Sequence, residues 1–359
     1  MTTLLRVGTL ALLLALASGT SWGYREYFTA EQKALLAKAQ TVLVEVLALT
    51  DKGKEDQPAL TDVAVRRLRE LGYTVVTDSA QAHDVVVRMK CEQRKTWEGT
   101  ATMGSDADLP DSPSRIWKGP ACQLNYVLGG TKIKWQKEVR TDFEDAAEAA
   151  QKANAGDPGA YAMAKLKDRL EQYDFPVLLA AEWGQPERLI KVLDTPGTKE
   201  IRKLKVIALL GDMLSHEALP QLKEALKDKD LSKQAAVALG NIGQEGIPIL
   251  IDILKTSTQP ELQAAAAKGL GQVGALHGDP SIIPPLLEML DAPGIDIAVQ
   301  TEIAWALGKL PDKRSVEPLF ALDRKLQKIR TDPPDPLIKK LKEAVFWAIK
   351  QCYTEDQYS

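Results

Sequence analysis

The amino-acid sequence predicts an α+β N-terminal domain followed by an α-solenoid, an α-α superhelix of four to five repeats. Three observations carry this reading. Over residues 84–97, 121–128 and 132–140 apolar and polar residues alternate with period two, the signature of strands buried on one face. Beyond residue 174, four helical segments end alike: Ile207 to Gly211, Val237 to Gly240, Lys268 to Gly271 and Trp305 to Gly308, their last glycines 29, 31 and 37 residues apart. A repeat of that length holding two helices stacks into a solenoid. Finally, 359 residues with 45% hydrophobic and 26% charged side chains suffice for two packed domains.

Composition also removes function classes. Lys and Arg number 46 against 49 Asp and Glu, a net charge of −3, so a dedicated nucleic-acid binder is not expected. Three His and three Cys leave little material for a metal centre, and neither cofactor nor metal is expected. No Walker loop or dinucleotide fingerprint occurs. Gly269, Gly271 and Gly274 imitate a phosphate loop, but they follow an Ala-rich helix rather than a strand.

Residues 1–23 read as a signal peptide: Arg6 precedes an apolar run from Val7 to Ala17, and small residues follow. The run is shorter than the roughly 20 residues of a spanning helix, which leaves an uncleaved membrane anchor as the alternative. Export to the periplasm or medium is therefore expected, which permits disulfides.

Residues 24–141 form the expected sheet domain. Thr29 to Gln40 reads as a helix, Thr41 to Leu49 as a strand, and Leu60 to Leu71 as a helix capped by Thr61 or Asp62 and ended by Gly72. Tyr73 to Thr77 is a second strand, and alternating strands follow over 84–97, 121–128 and 132–140, with a Gly129-Gly130 hairpin between the last two. A long loop, 98–120, carries Trp117. Cys91 and Cys122 share the apolar face, where a disulfide is expected and two buried thiols are the alternative. On the polar face Arg88, Lys90, Arg94, Lys132 and Lys134 compose either a basic strip for an anionic envelope polymer or an ordinary solvated surface. In the order of its elements and the cadence "ELGYTVV…AHDVVV", the domain resembles small α/β modules of exported bacterial envelope proteins, such as the N-terminal domain of TolB-like proteins.

Residues 142–173 read as a helical connector, 174–330 as the repeats, and 331–359 as a capping helix and tail; for the helix over 336–349, lying on a membrane surface is the runner-up. Each Gly segment precedes a second apolar helix bearing an early proline: Pro220, Pro248, Pro284 and Pro318. The glycines either end their helices or let neighbouring backbones approach. A degenerate unit runs from Val177 to Leu193, and the 37-residue step implies an insertion around residues 277–280.

The pattern A-L-G-x-x-G…I-P-x-L resembles HEAT-like repeats of the short, phycobilisome-lyase type, with Asn241-Ile-Gly243 and Gln272-Val-Gly274 as its closing signature. Its Val-Arg signature is replaced by Leu231-Ser232, Leu262-Gln263 and Val299-Gln300. The resemblance covers about half the chain and implies scaffolds or adaptors that bind along a concave face. Bilin lyases share the repeats, but export separates this chain from that substrate. Deoxyhypusine hydroxylases share them too, with several His-Glu pairs holding two irons; here only His216-Glu217 occurs. Ser215, His216 and Asp212 are too local to build a triad, and His83-Asp84 reads as structural.

The expected function is therefore an exported, non-enzymatic interaction scaffold with an unidentified protein partner. Counting back three and seven residues from the glycines places Lys233, Lys268, Thr301 and Trp305 on one helical side as candidate contacts. For Trp305, packing between repeats is the alternative.

Overall fold

The computed structural model describes residues 28–100, 114–133, 135–329 and 335–356. The expected signal peptide, Lys134 and the centre of the 98–120 loop lie outside the described residues. Helix α1 (Ala30–Lys38) starts at a capping box between Thr29 and Gln32. Strand β1 (Thr41–Thr50) follows, then the short β2 (Gly53–Glu55), which pairs back on it. Helix α2 (Pro58–Glu70) begins at Pro58, three residues before the expected Thr61 cap, because proline needs no N–H partner in the first turn. Strand β3 (Thr74–Val76) returns parallel to β1, completing a β-α-β unit.

Strands β4 (Val85–Thr100) and β5 (Ser114–Leu128) run antiparallel, β4 close to its expected length and β5 starting well before the expected residue 121. Much of the expected 98–120 loop is strand: Trp117 stands on β5 in register with Trp97. Strand β6 (Thr131–Lys132) is joined to β5 by Gly129 and Gly130, both at positive φ, which a two-residue hairpin turn of this hand requires. The expected strand over 132–140 is broken. The Ile133 N–H still donates to the Tyr126 carbonyl at 3.1 Å, but Trp135 turns away to pack 5.5 Å from the Tyr126 ring, and regular pairing with β5 resumes at β7 (Lys137–Arg140).

Strand β1 lies between β3 and β4, with β5 beyond β4. One face, carrying Val42, Val44, Val87, Met89, Leu124 and Tyr126, is buried. Cys91 and Cys122 face each other across the β4–β5 ladder on this side and are joined by a disulfide.

Helices α3 (Ala146–Lys152) and α4 (Pro158–Gln172) start at Asp145 and Asp157, each of which accepts two backbone N–H bonds. Five helix pairs follow. They are α5 (Phe175–Glu182) with α6 (Pro186–Asp194), α7 (Glu200–Asp212) with α8 (Leu219–Ala225), α9 (Ser232–Ile242) with α10 (Ile247–Thr256), α11 (Pro260–His277) with α12 (Ile283–Leu290), and α13 (Ile297–Lys309) with α14 (Val316–Gln327). Helix α15 (Pro336–Asp356) packs on α13 and α14 and closes the stack. No described helix is long and apolar enough to cross a membrane.

The repeat glycines lie inside their helices rather than ending them. A Cβ on Gly240 would stand 2.3 Å from the Gly269 carbonyl oxygen, and one on Gly308 would stand 2.3 Å from the Trp347 ring. These glycines bring α7, α9, α11, α13 and α15 into direct contact as one tight layer, whereas α8, α10, α12 and α14 touch one another little. A stack that is tight in one layer and loose in the other curves toward the tight one, so the Gly-bearing helices form the inner face.

The sheet and the solenoid share one core. Gln185, fully buried at the start of α6, donates from Nε2 to the carbonyls of Leu36 (2.8 Å) and Ala39 (2.9 Å). Its Oε1 accepts from the Tyr73 hydroxyl and from Arg188 Nε, both at 2.7 Å. The Arg188 guanidinium lies 3.9 Å over the Tyr73 ring and donates to the Leu71 carbonyl. Trp183 inserts edge-on between Tyr73 and Tyr126, each 5.5 Å away.

Candidate functional site

Where the sheet domain meets the inner helix layer, a cleft of about 720 Å³ opens. The C-terminal ends of α5, α7, α9 and α11 line one side, and the segment around Trp135 and Lys137 lines the other. Helix α11 reaches the cleft because it is long. Its partner helix begins 12 residues after Gly271, whereas α10 begins 7 residues after Gly240. The extra residues of the 37-residue step therefore extend α11 and place Leu276 and His277 at the mouth. Leu276 is 59% exposed there. His277 Nε2 sits 3.2 Å from the Asn241 carbonyl oxygen and packs where a Cβ on Gly243 would stand.

Leu214, just after α7, is a second apolar lip of the cleft, 45% exposed, in the left-handed region at φ 54°. It follows α7 in a turn closed by Leu214 N–H to Gly211 and Ser215 N–H to Leu210. The same paired bonds close the turns at Gly72, Asn154 and Gly184. Those residue types accept positive φ, whereas in a leucine the left-handed conformation costs about 1–2 kcal/mol. Sequence reasoning missed Leu214; the signal was a leucine standing where Gly184 and Gly243 follow the corresponding helices.

Two carboxylates line the cleft. Burial pushes the Glu182 carboxyl up, partly offset by Lys137 and the Tyr126 hydroxyl. Burial also pushes Asp212 up. Behind them Tyr126 Oη and Trp183 Nε1 are buried without a well-formed hydrogen bond among the described residues.

The contact residues expected from spacing occupy the inner layer. Lys233 and Lys268 are exposed on α9 and α11. On α13 the Thr301 hydroxyl donates to the Ile297 carbonyl, and half-buried Trp305 packs 5.0 Å from Trp347 of α15. None of the four lines the cleft. On the open sheet face Arg88 pairs with Glu45, Lys90 with Glu92 and Arg94 with Asp51, so three cations of the basic strip already have counter-ions. His216 pairs with Glu245 at 3.2 Å on the surface, and Ser215 is buried, so these residues do not assemble into a nucleophile set. The Asp84 carboxylate accepts the backbone N–H groups of Gln40 and Thr41, a structural role. Among the described residues no group of three or more His, Cys, Asp or Glu is placed to hold a metal.

The chain matches the family model of HEAT repeats twice, over residues 186–271 and 247–335. The solenoid is built of HEAT repeats. No curated protein matches the sequence. Among solved structures, human deoxyhypusine hydroxylase in complex with glycerol aligns over 58% of this chain and 89% of that one, at 15% identity and a TM-score of 0.27. At that score the likeness supports nothing about this chain's activity.

Proposed function

We propose that this HEAT-repeat protein is an exported, non-enzymatic scaffold that binds a protein partner along the inner helix layer. The observation that carries the reading is the continuity of that layer. Helices α7, α9, α11, α13 and α15 are held together by backbone-close glycine contacts and leave Lys233 and Lys268 pointing to solvent. A rigid surface presented by regular elements is what recognition of an extended partner needs, because little ordering entropy is then lost on binding. The disulfide between Cys91 and Cys122 fits an oxidising compartment and supports export.

The test is capture from a cross-linked cell envelope by the wild-type protein and by a Lys233→Glu/Lys268→Glu variant. Both lysines are exposed, so the variant keeps its fold within about 0.5 kcal/mol. The reading expects a defined protein held by the wild type and lost by the variant. Equal capture by both would place the partner elsewhere.

A further inference from the structure

The cleft has a chemistry of its own, and it differs from that of the inner layer beyond it. We propose that it seats an apolar peptide segment carrying a basic side chain, with the aliphatic or aromatic residue between Leu214 and Leu276 and the cation directed to Glu182 and Asp212. The inference rests on the scaffold reading and names what part of the partner the scaffold grips.

Three independent features converge. The first is the pair of apolar lips. Leu214 and Leu276 are 45% and 59% exposed, and Leu214 is present against its backbone preference. Leu214 keeps a strained left-handed backbone that glycine or asparagine relieves at the equivalent turns, and Leu276 exists at the cleft only through the extension of α11. Strain retained at one turn of four, where the side chain meets solvent, marks a side chain kept for what it contacts.

The second is charge. The C-terminal ends of α5, α7, α9 and α11 all border the cleft, and a helix C-terminus carries partial negative charge that favours a cation. Glu182 and Asp212 add two carboxylates, opposed among the lining residues by Lys137, with the His277 imidazole at the mouth. Both carboxyls are pushed up by burial, so each is under-compensated in the free protein. A basic side chain supplies the missing counter-charge.

The third is size and wall composition. About 720 Å³ accommodates several side chains, and Trp135, Leu178 and Met213 give the walls apolar surface while Asn241 adds a polar rim. An acidic peptide would meet four negative helix ends and two carboxylates.

The test pans a phage-displayed random dodecapeptide library on the wild-type protein. Affinities of the recovered peptides are then measured by fluorescence polarisation. The expected peptides pair leucine, isoleucine or phenylalanine with lysine or arginine. Leu214→Asn keeps the turn, because asparagine tolerates positive φ, yet weakens these peptides by about tenfold or more; Glu182→Gln does the same. Should Leu214→Asn melt early, Leu276→Ala at an exposed helix position carries the same expectation. Recovery of acidic peptides, of none, or of peptides indifferent to all three variants would overturn the inference. Peptides indifferent to these variants but lost on Lys268→Glu would overturn the cleft alone and leave the scaffold reading standing.

Discussion

Replacing Gln185 with alanine removes the polar node that joins the sheet domain to the first repeat. Five partners lose a bond: the carbonyls of Leu36, Ala39 and, at 3.4 Å, Ala37, the Tyr73 hydroxyl and Arg188 Nε. The Leu36 carbonyl retains the Ala39 N–H at 3.1 Å. The Ala39 carbonyl, the Tyr73 hydroxyl and Arg188 Nε make no other hydrogen bond among the described residues, and each buried unsatisfied group costs about 1 kcal/mol or more. The sum is about 3–4 kcal/mol, a large share of an ordinary domain's stability. Urea denaturation followed by tryptophan fluorescence is the assay, since Trp183 and Tyr73 pack beside the node. Gln185→Met separates hydrogen bonding from packing, because it fills similar volume with no donor or acceptor. Its loss should fall within about 1 kcal/mol of the alanine loss. A control, exposed Gln327→Ala, should change stability by under about 0.5 kcal/mol. If Gln185→Ala costs under about 1 kcal/mol, the two domains are not coupled through this residue and the account of their shared core is wrong.

Other expectations follow from the same structure. Reducing the Cys91–Cys122 disulfide, which spans 31 residues of chain, should cost about 3–4 kcal/mol through regained loop entropy, seen as a lower denaturation midpoint with reductant. Gly240→Ala drives a methyl into the Gly269 backbone and should cost about 3 kcal/mol or more by circular-dichroism melting, beyond ordinary overpacking; an unchanged melt would contradict the glycine-contact account of the inner layer. Glu182 and Asp212 have carboxyls raised in the folded state. The folded protein therefore binds more protons than the unfolded chain, and their contribution to stability falls as pH rises above their ordinary values of 4.5 and 3.8. Glu182→Gln/Asp212→Asn should flatten that fall in denaturation midpoints measured between mildly acidic and neutral pH; a slope identical to wild type would refute it.

Much of the architecture is legible in local patterns, because the forces that set it are local. Period-two alternation from Val85 to Cys91 marks the buried face of β4, and paired glycines at 129 and 130 mark the hairpin. The spaced glycines mark the repeats, although their role is close approach inside helices and not termination. What is not legible depends on partners distant in sequence. Glu45 on β1 and Asp51 in the turn after it neutralise Arg88 and Arg94, so a strip that reads as basic is partly balanced in three dimensions. Trp135 leaves the expected strand to pack on the Tyr126 ring, which itself packs on Trp183. Gln185 reads as an ordinary polar residue ahead of a proline, and only its burial against α1 reveals the node. The cleft was hidden for the same reason: its lips come from two repeats and its far wall from the sheet domain.

The most direct test of a partner-binding inner surface is photo-cross-linking in the living cell, with a photoreactive residue placed singly at Leu276, at Lys268 or at Glu224. The first two lie at the cleft and on the inner layer; Glu224 is exposed on α8 of the outer layer. The account predicts one discrete protein adduct shared by Leu276 and Lys268 and none from Glu224. An adduct formed from Glu224 while both inner positions stay silent would contradict it.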